Sequence, residues 1–275
     1  MQRTDKEGAQ PAERIWQDIA AVRSVSPLVH SITNYVVMNN TANAVLAAGA
    51  SPIMAHAVPE VGDMVALCAA TVINIGTLDP LWVEAMKVAL RRADALGRPV
   101  VLDPVGAGAT PYRNQVLGEL LAVASPAFIR GNAGEIMTLA GIQVASKGVD
   151  SAVSSADSDG AARALSLRTG SVVSVSGPTD VITDGRRIGY VGNGHPMMTR
   201  VTGLGCTASA LLGAFAAVQP DRFAAAVSAA AFLGVCGELA AAQSAGPGSL
   251  QMNLYDVMYN LEEADFVRTA RVRIE

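Results

Sequence analysis

A glycine-rich segment at residues 202–208, TGLGCTA, places a cysteine directly before a long uncharged apolar run. Gly203 and Gly205 clear side chains from the backbone, so an anion can approach the chain closely at this point. The apolar run predicts a helix over roughly 205–218, and the free N–H groups and dipole of a helix N-terminus attract negative charge. From this segment alone, an ordinary buried helix with a core thiol at Cys206 is at least as good an interpretation.

Two common nucleotide-binding motifs do not explain this segment. The residues from Gly203 to Ala208 match G-x-G-x-x-A, but the dinucleotide fingerprint opens a βαβ unit with an acid about 20 residues further on. Here nothing acidic follows until Asp221, and more predicted helix comes after it. The phosphate-binding loop G-x-x-x-x-G-K-[ST] is absent, so a nucleotide phosphate would have to be held without the lysine of that loop.

Charged residues follow two other predicted strands. Asp103 ends the apolar run VVLD before a proline and a glycine-rich loop, where a carboxylate can face a metal, face a phosphate-bound cation, or cap the turn. Asn132 and Glu135 have the i, i+3 spacing of a capping box, which still leaves Glu135 able to hold a Mg²⁺-bound water. Arg130, directly before them, suits a polyphosphate or the solvated end of a strand.

Polar side chains are dense inside the apolar segment that runs from residue 27 to 60. Buried amides need hydrogen-bond partners, so these side chains either satisfy one another or line a small-molecule pocket. For any one of them a structural role is preferred, whereas the cluster as a whole favours a pocket wall. No histidine spacing indicates a metal site. The cluster consists of His30, Asn34, Asn39, Asn40, Asn43 and His56.

Short β-branched strands alternate with helical segments along most of the chain, which predicts an α/β fold with a mostly parallel sheet between two layers of helices. We expect one domain over 13–275, preceded by a loose tail at 1–12, with a surface loop near 145–160. VITDGRRIGYV predicts a hairpin. Ligands of such sheets bind beyond the carboxyl ends of the strands, so the DPVGAGAT, RGNAGE, SGPTD and TGLGCTA segments are expected to meet at one edge.

Composition excludes several function classes. The net charge is −4 and lysines and arginines form no stripe, so a nucleic-acid partner has no electrostatic basis. The N-terminus lacks the apolar core of a signal peptide, and the Ala-rich run at 224–242 contains Glu238, which favours a buried helix over a membrane span. The three cysteines have neither a disulfide nor a zinc pattern, and a reducing cytoplasm is the simplest location.

Ordered motifs over most of the chain resemble the hydroxyethylthiazole kinase family of the ribokinase-like superfamily. The resemblance runs from PLVHSITNYVVMNNTAN to GPGSLQMNLYDVMYNL and includes, in order, LAAGASPIMA, NIGTLDP, LDPVGAGATPYR, IRGNAGEI, VITDG and VTGLGCTAS. It implies a three-layer α/β/α fold, assembled as a homotrimer with active sites at the subunit interfaces. It also implies ATP-dependent phosphorylation of the primary alcohol of 4-methyl-5-(2-hydroxyethyl)thiazole, for thiamine diphosphate biosynthesis or salvage.

The same resemblance assigns candidate roles to individual residues. Cys206 lies in the first turn of a predicted helix, a position that lowers the pKa of a thiol, whereas a nearby triphosphate raises that pKa. The sequence leaves open which of the two effects is larger. Our hypothesis for the cysteine is a weak base, or an acceptor that orients the substrate hydroxyl, and not a covalent nucleophile. In this scheme Met54 and Gly203 bind the thiazole, Arg130 and Ser176 bind ATP, Asp103 and Glu135 organise Mg²⁺, and Cys206 stands where related sugar and vitamin kinases carry an aspartate base.

Two other functions fit parts of the sequence. A ribokinase-like lyase that dehydrates damaged nicotinamide nucleotides would share the fold, but the HSITNYVVMNNTAN and SPIM segments suit a small heterocycle better than a dinucleotide. A nucleotide- or vitamin-binding protein without turnover would also share the fold. Against that reading, Asp103, Glu135 and the glycine pair are all present.

Overall fold

A computed structural model describes residues 11–142 and 155–275. The predicted tail is therefore mostly outside the described residues, and the first helix begins at Pro11, inside the range predicted as tail. Most of the loop predicted near 145–160 is also outside the described residues. Its last part differs from the prediction, because a helix already begins at Ser155.

The described strands form one nine-stranded sheet in the order β2-β1-β3-β4-β5-β6-β7-β8-β9. The pairs from β2 across to β6 are parallel, and β7, β8 and β9 continue the sheet in antiparallel pairs. The predicted hairpin corresponds to β7 and β8. The strands are β1 (Leu28–Ile32), β2 (Ser51–Ile53), β3 (Ala70–Asn74), β4 (Val100–Asp103), β5 (Phe128–Asn132), β6 (Val172–Ser176), β7 (Asp180–Thr183), β8 (Ile188–Val191) and β9 (Val272–Ile274).

Helices cover both faces of this sheet, so the predicted three-layer α/β/α architecture is confirmed. Helices α1, α2 and α8 to α11 pack on one face, and α3 to α7 pack on the other. The helices are α1 (Pro11–Val25), α2 (Met38–Ala47), α3 (Val58–Leu67), α4 (Pro80–Ala95), α5 (Pro111–Val123), α6 (Ala133–Ala140), α7 (Ser155–Thr169), α8 (Leu204–Ala216), α9 (Arg222–Ala241), α10 (Pro247–Asn260) and α11 (Glu263–Thr269).

The strands are buried on both faces, as their continuous apolar sequences predict. On β4, Val101 contacts the α8–α9 side of the core whereas Val100 and Leu102 contact the α4–α5 side. Helix α9 is long and apolar enough to cross a membrane by length and composition, but 78% of its most apolar window is buried within the molecule. It is therefore a core helix, as predicted for the Ala-rich run.

Helix α8 lies close to the sheet at Gly213, in its last turn. A Cβ atom at Gly213 would lie 2.8 Å from Cγ2 of Val72 and 3.0 Å from Cγ1 of Val29. Gly213 therefore allows the backbone of α8 to rest directly on β1 and β3.

Gly213→Ala should lower the free energy of unfolding by about 1–3 kcal/mol, because the new methyl group overpacks the contact with Val72 and Val29. The matched control is Gly118→Ala in the exposed middle of α5, where an added Cβ meets no atom within 4 Å. That variant should gain about 1 kcal/mol from helix propensity. Urea denaturation measures both changes, and equal shifts in the two variants would contradict the tight contact beneath α8.

Candidate active site

The N-terminus of α8 lies over the carboxyl ends of β4 and β5. Arg130 on β5 donates from Nη1 to the carbonyl oxygen of Gly205 at 2.8 Å. Ser209 on α8 donates from Oγ to Oδ2 of Asp103, the last residue of β4, also at 2.8 Å. The next strand, β6, ends at Ser176 in register with Asn132 of β5. The predicted meeting of these loops at one edge of the sheet is confirmed by these contacts.

Gly203 turns the chain into α8. It adopts the left-handed conformation with φ of 80° and precedes the first helical residue, and a Cβ here would lie 2.2 Å from Cγ1 of Val37. Both the backbone angle and the contact therefore require glycine. The Thr207 amide donates to the Gly203 carbonyl oxygen at 2.9 Å. The N–H groups of Gly205 and Cys206 come before it in the first turn, where no intrahelical acceptor exists, so they are available to an anion.

The Cys206 thiol is half-buried beside an asparagine amide. Nδ2 of Asn34 donates to Sγ of Cys206 at 3.3 Å. Burial raises the pKa of the thiol, and the charge of Asp103 raises it further. Both effects oppose the lowering that is expected at a helix N-terminus. The thiol of Cys206 is therefore mainly protonated at neutral pH, and a neutral thiol suits an orienting group better than a nucleophile.

Asp103 is a deeply buried acid at the centre of the site. It is 2% exposed, and its Oδ2 accepts hydrogen bonds from Nδ2 of Asn74 at 2.7 Å and from Oγ of Ser209. Burial raises the pKa of this carboxyl group to about 7, while the charge of Arg130 opposes the rise and that of Glu135 adds to it. Among the described residues no hydrogen bond to Oδ1 is present, so this oxygen remains available to a cation.

Glu135 joins two loops of the site. Its Oε2 accepts from the Asn132 amide at 2.8 Å while Oδ1 of Asn132 accepts from the Glu135 amide at 2.9 Å, so the capping box predicted from the sequence is confirmed. Its Oε1 accepts from the Gly106 amide at 2.8 Å. Glu135 therefore holds the DPVGAGAT loop against the start of α6.

Arg130 and Ser176 lie on the adjacent strands β5 and β6. Oγ of Ser176 is 3.4 Å from the carbonyl oxygen of Gly131. Asp180, at the start of β7, accepts from the Gly177 amide at 2.9 Å. Burial raises the pKa of Asp180, and the charge of Arg130 opposes that rise. The SGPTD loop therefore lies close enough to Arg130 to interact with it electrostatically.

Met54 follows β2, and two histidines hold its segment. Nε2 of His30 donates to the carbonyl oxygen of Ala55 at 2.6 Å, and burial lowers the pKa of His30. Nδ1 of His56 lies 3.2 Å from the Met54 carbonyl oxygen, and the His56 ring packs on Trp82 with centroids 4.3 Å apart. These two histidines have structural partners, and the described residues contain no cluster of three or more His, Cys, Asp or Glu side chains that could hold a metal.

The sheet order separates Met54 from Asp103. Strands β1 and β3 lie between β2 and β4, so the two residues are roughly 14 Å apart across the edge at the usual strand spacing. Asn34 and Asn74 follow or end the two intervening strands and fill this gap. Asn34 fits the alternative in which the polar side chains satisfy one another, because it is buried and its amide bonds to Asn74 and Cys206. Asn39 and Asn43 form an exposed pair on α2 with Nδ2 and Oδ1 3.1 Å apart.

Three important residues of the site were missed by the sequence reading: Asn74, Ser209 and Arg113. Nη1 of Arg113 donates to the carbonyl oxygens of Ile75 at 2.6 Å and Val105 at 2.7 Å. The same guanidinium clamps the loop after β3 to the loop after β4. Asn74 could have been found, because a polar residue at the end of an apolar strand is the signal that identified Asp103.

Comparison with models of known protein families identifies the family of this chain. The model of the hydroxyethylthiazole kinase family matches residues 19–264. The chain belongs to the hydroxyethylthiazole kinase family. This match includes every candidate site residue named above and confirms the resemblance derived from the motifs.

Relatives within the family cover almost the whole chain. The hydroxyethylthiazole kinase of Leptothrix cholodnii is 55% identical over 260 residues, which are 93% of this chain and 94% of that protein. The solved hydroxyethylthiazole kinase from Pyrococcus horikoshii has a TM-score of 0.89 at 42% identity and covers 96% of this chain and 99% of that one. Pyridoxal kinase from Bacillus subtilis, solved with ADP, has a TM-score of 0.56 at 18% identity over 76% of this chain and 91% of that one, and shares the fold.

Asp103→Asn should remove a pH dependence from the stability of the protein. The unfolded chain ionises this carboxyl near its ordinary pKa of about 3.9, whereas the folded protein keeps the proton until about pH 7. The free energy of unfolding of the wild type therefore falls as pH rises through this interval. The asparagine oxygen can still accept from Asn74 and Ser209, so the variant should be more stable than the wild type at pH 8.

Urea denaturation at pH 5 and pH 8 measures this difference. Asp63→Asn, an exposed acid on α3, is the matched control and should follow the wild type at both pH values. Parallel pH profiles for the Asp103→Asn variant and the wild type would contradict the buried, proton-binding carboxyl group.

Proposed function

We propose that this chain transfers the γ-phosphoryl group of ATP to the primary alcohol of 4-methyl-5-(2-hydroxyethyl)thiazole, a step in thiamine diphosphate biosynthesis or salvage. The observation that carries the proposal is the junction of the α8 N-terminus, the Cys206 thiol and the Asp103 carboxylate at one edge of the sheet. Relatives named hydroxyethylthiazole kinase cover almost the whole chain, and they support the kinase over a lyase with the same fold.

The protein can stabilise the transferring group with fixed dipoles. Phosphoryl transfer passes through a loose transition state whose charge is spread over the equatorial oxygens. The amides of Gly205 and Cys206, together with the dipole of α8, are positioned to donate to those oxygens without reorganisation. Arg130 and Ser176 are proposed to bind ATP. Arg130 holds the Gly205 carbonyl oxygen, so it can also keep the helix end in place.

Kinases of this family use ATP with a divalent metal, and we assign Mg²⁺ to the region of Asp103 and Glu135. Mg²⁺ is usually held by one or two carboxylates, substrate phosphates and water. The residues present fit that pattern, because Oδ1 of Asp103 accepts no hydrogen bond among the described residues and Glu135 keeps lone pairs for a metal-bound water. When bound, the ion would neutralise charge on the β- and γ-phosphates.

Cys206 is proposed to orient the substrate hydroxyl by accepting its hydrogen bond. In a loose transition state the alcohol proton leaves late, so a strong base is helpful but not essential. The raised pKa of the thiol supports an orienting role for its sulfur. Met54 and Gly203 are proposed to contact the thiazole ring, with the His56–Trp82 pair supporting the Met54 segment.

A homotrimer in the cytoplasm completes the proposal. Large apolar side chains are exposed directly after Asn34 in the chain, with Tyr35 64% and Val36 61% exposed. Such a patch is typical of a subunit contact, and light scattering of the purified protein measures the mass directly. The three cysteines are free thiols, as a reducing compartment favours.

The activity itself is tested by coupling ADP release to the thiazole alcohol as acceptor. ADP release that requires the alcohol, with the phosphate ester as product, supports the proposal. Dehydration of a hydrated nicotinamide nucleotide without phosphate transfer would instead support the lyase. Calorimetric binding of the thiazole without turnover would support a binding protein.

Cys206→Ala should keep measurable turnover, with kcat reduced by no more than about 100-fold, the lower end of general-base effects. Cys206→Asp should be at least as active as the wild type, because a carboxylate oxygen is a better proton acceptor than a neutral thiol. Cys68→Ala, at the end of α3, is the control thiol and should leave kcat unchanged. Complete loss in Cys206→Ala with ATP binding intact, or a stable cysteine-phosphate adduct, would reject the orienting role.

A further inference from the structure

A continuous hydrogen-bonded chain joins the cysteine to the buried acid. Nδ2 of Asn34 donates to Sγ of Cys206 at 3.3 Å and lies 2.9 Å from Oδ1 of Asn74, which accepts from it. Nδ2 of Asn74 then donates to Oδ2 of Asp103 at 2.7 Å. Asn34, Asn74 and Asp103 are 4%, 1% and 2% exposed, so water cannot replace these bonds easily. We name Asn34 and Asn74 the amide relay.

Backbone groups fix the orientation of both amides. The Val36 amide donates to Oδ1 of Asn34 at 3.1 Å, so the nitrogen of Asn34 must face the sulfur. The Gly76 amide donates to Oδ1 of Asn74 at 2.9 Å, so the nitrogen of Asn74 must face Asp103. Rotating either amide by half a turn would set two donors against each other, so the donor directions are fixed: Asn34 donates both to the sulfur and to Asn74, and Asn74 donates to the acid.

The backbone around the relay is shaped to admit it. A Cβ at Gly76 would lie 2.5 Å from Nδ2 of Asn34, so glycine leaves the room that the first amide occupies. Arg113 donates from Nη2 to the Gly76 carbonyl oxygen at 2.9 Å and holds this loop in place. In register, Asn74 and Asp103 are paired residues of β3 and β4, which sets the spacing of the second half of the relay.

We propose that Asn34 and Asn74 are positioning residues for phosphoryl transfer. The amide relay fixes the side chain of residue 206, which faces the acceptor hydroxyl, relative to Asp103, which is assigned to the metal. This inference rests on the proposed function. Asn34 supplies a donor aimed at the side chain of residue 206, and Asn74 donates to Oδ2 of Asp103, which would leave Oδ1 for a cation. The donor favours an acceptor atom at position 206, which a neutral thiol satisfies weakly and a carboxylate satisfies strongly.

A double-mutant cycle between Asn34 and Cys206 tests this coupling. We expect Asn34→Ala to lower kcat by about 10-fold in the wild-type background, where sulfur is a weak acceptor. In the Cys206→Asp background the same change should cost about 100-fold, because a hydrogen bond to a carboxylate is charge-assisted. The KM for ATP should stay within about 2-fold, since the relay contacts neither Arg130 nor Ser176.

The control is Asn43→Ala, which removes an amide of the exposed Asn39–Asn43 pair and should leave kcat unchanged in both backgrounds. Equal losses for Asn34→Ala in the two backgrounds would overturn the proposal, because they would assign Asn34 a general role in folding. This outcome is distinct from failure of the proposed function, in which the wild type itself would not phosphorylate the alcohol.

A second readout does not depend on turnover. The hydrogen bond from Asn34 favours the thiolate, so iodoacetamide should label Cys206 more slowly at pH 8 in Asn34→Ala than in the wild type, after subtraction of the Cys206→Ala blank. Unchanged or faster labelling would overturn the relay. If Asn34→Ala does not fold, the isosteric Asn34→Asp keeps the bond from the Val36 amide but cannot donate to sulfur when ionised. Wild-type kcat in that variant would overturn the proposal as well.

Discussion

The buried carboxylate of Asp103 is the constraint on which the site depends. A negative charge in this position is costly, as its pKa of about 7 indicates, and the surroundings offset the cost with donors from Asn74 and Ser209 and with the charge of Arg130. The same contacts hold α8 over β4 and β5. In the proposed function this anion is held ready for a cation, so stability is given up where the chemistry is proposed to take place.

Much of the fold could be predicted because its signals are local. Asp103 and Arg130 each follow or lie near the end of a continuous apolar strand, and alternation with helices places such ends at one edge. Asn132 and Glu135 carry the capping-box spacing, which the structure confirms. Helices α1, α3 and α11 and strand β9 were not predicted. In α3, Pro59 and Gly62 lie within a helix of only ten residues, which weakens its periodicity.

The amide relay and the loop contacts of Arg113 could not be predicted, because they depend on contacts between residues far apart in sequence. Asn34 reaches Cys206 across 172 positions, and Arg113 satisfies carbonyl oxygens on two separate loops. The thiol illustrates a second limit. Its place in the first turn of α8 favours a lowered pKa, whereas burial and the charge of Asp103 raise the pKa. Neither burial nor that charge is visible in a linear motif.

In the proposed function, the α8 N-terminus holds the migrating phosphoryl group next to the Cys206 sulfur. A crystal structure of the protein with the thiazole alcohol and a non-hydrolysable ATP analogue tests this claim most directly. We predict the terminal phosphate within about 3 Å of the Gly205 and Cys206 amide nitrogens, with the substrate hydroxyl between that phosphate and the sulfur. A nucleotide bound away from α8, or a hydroxyl that does not approach Cys206, would contradict the account.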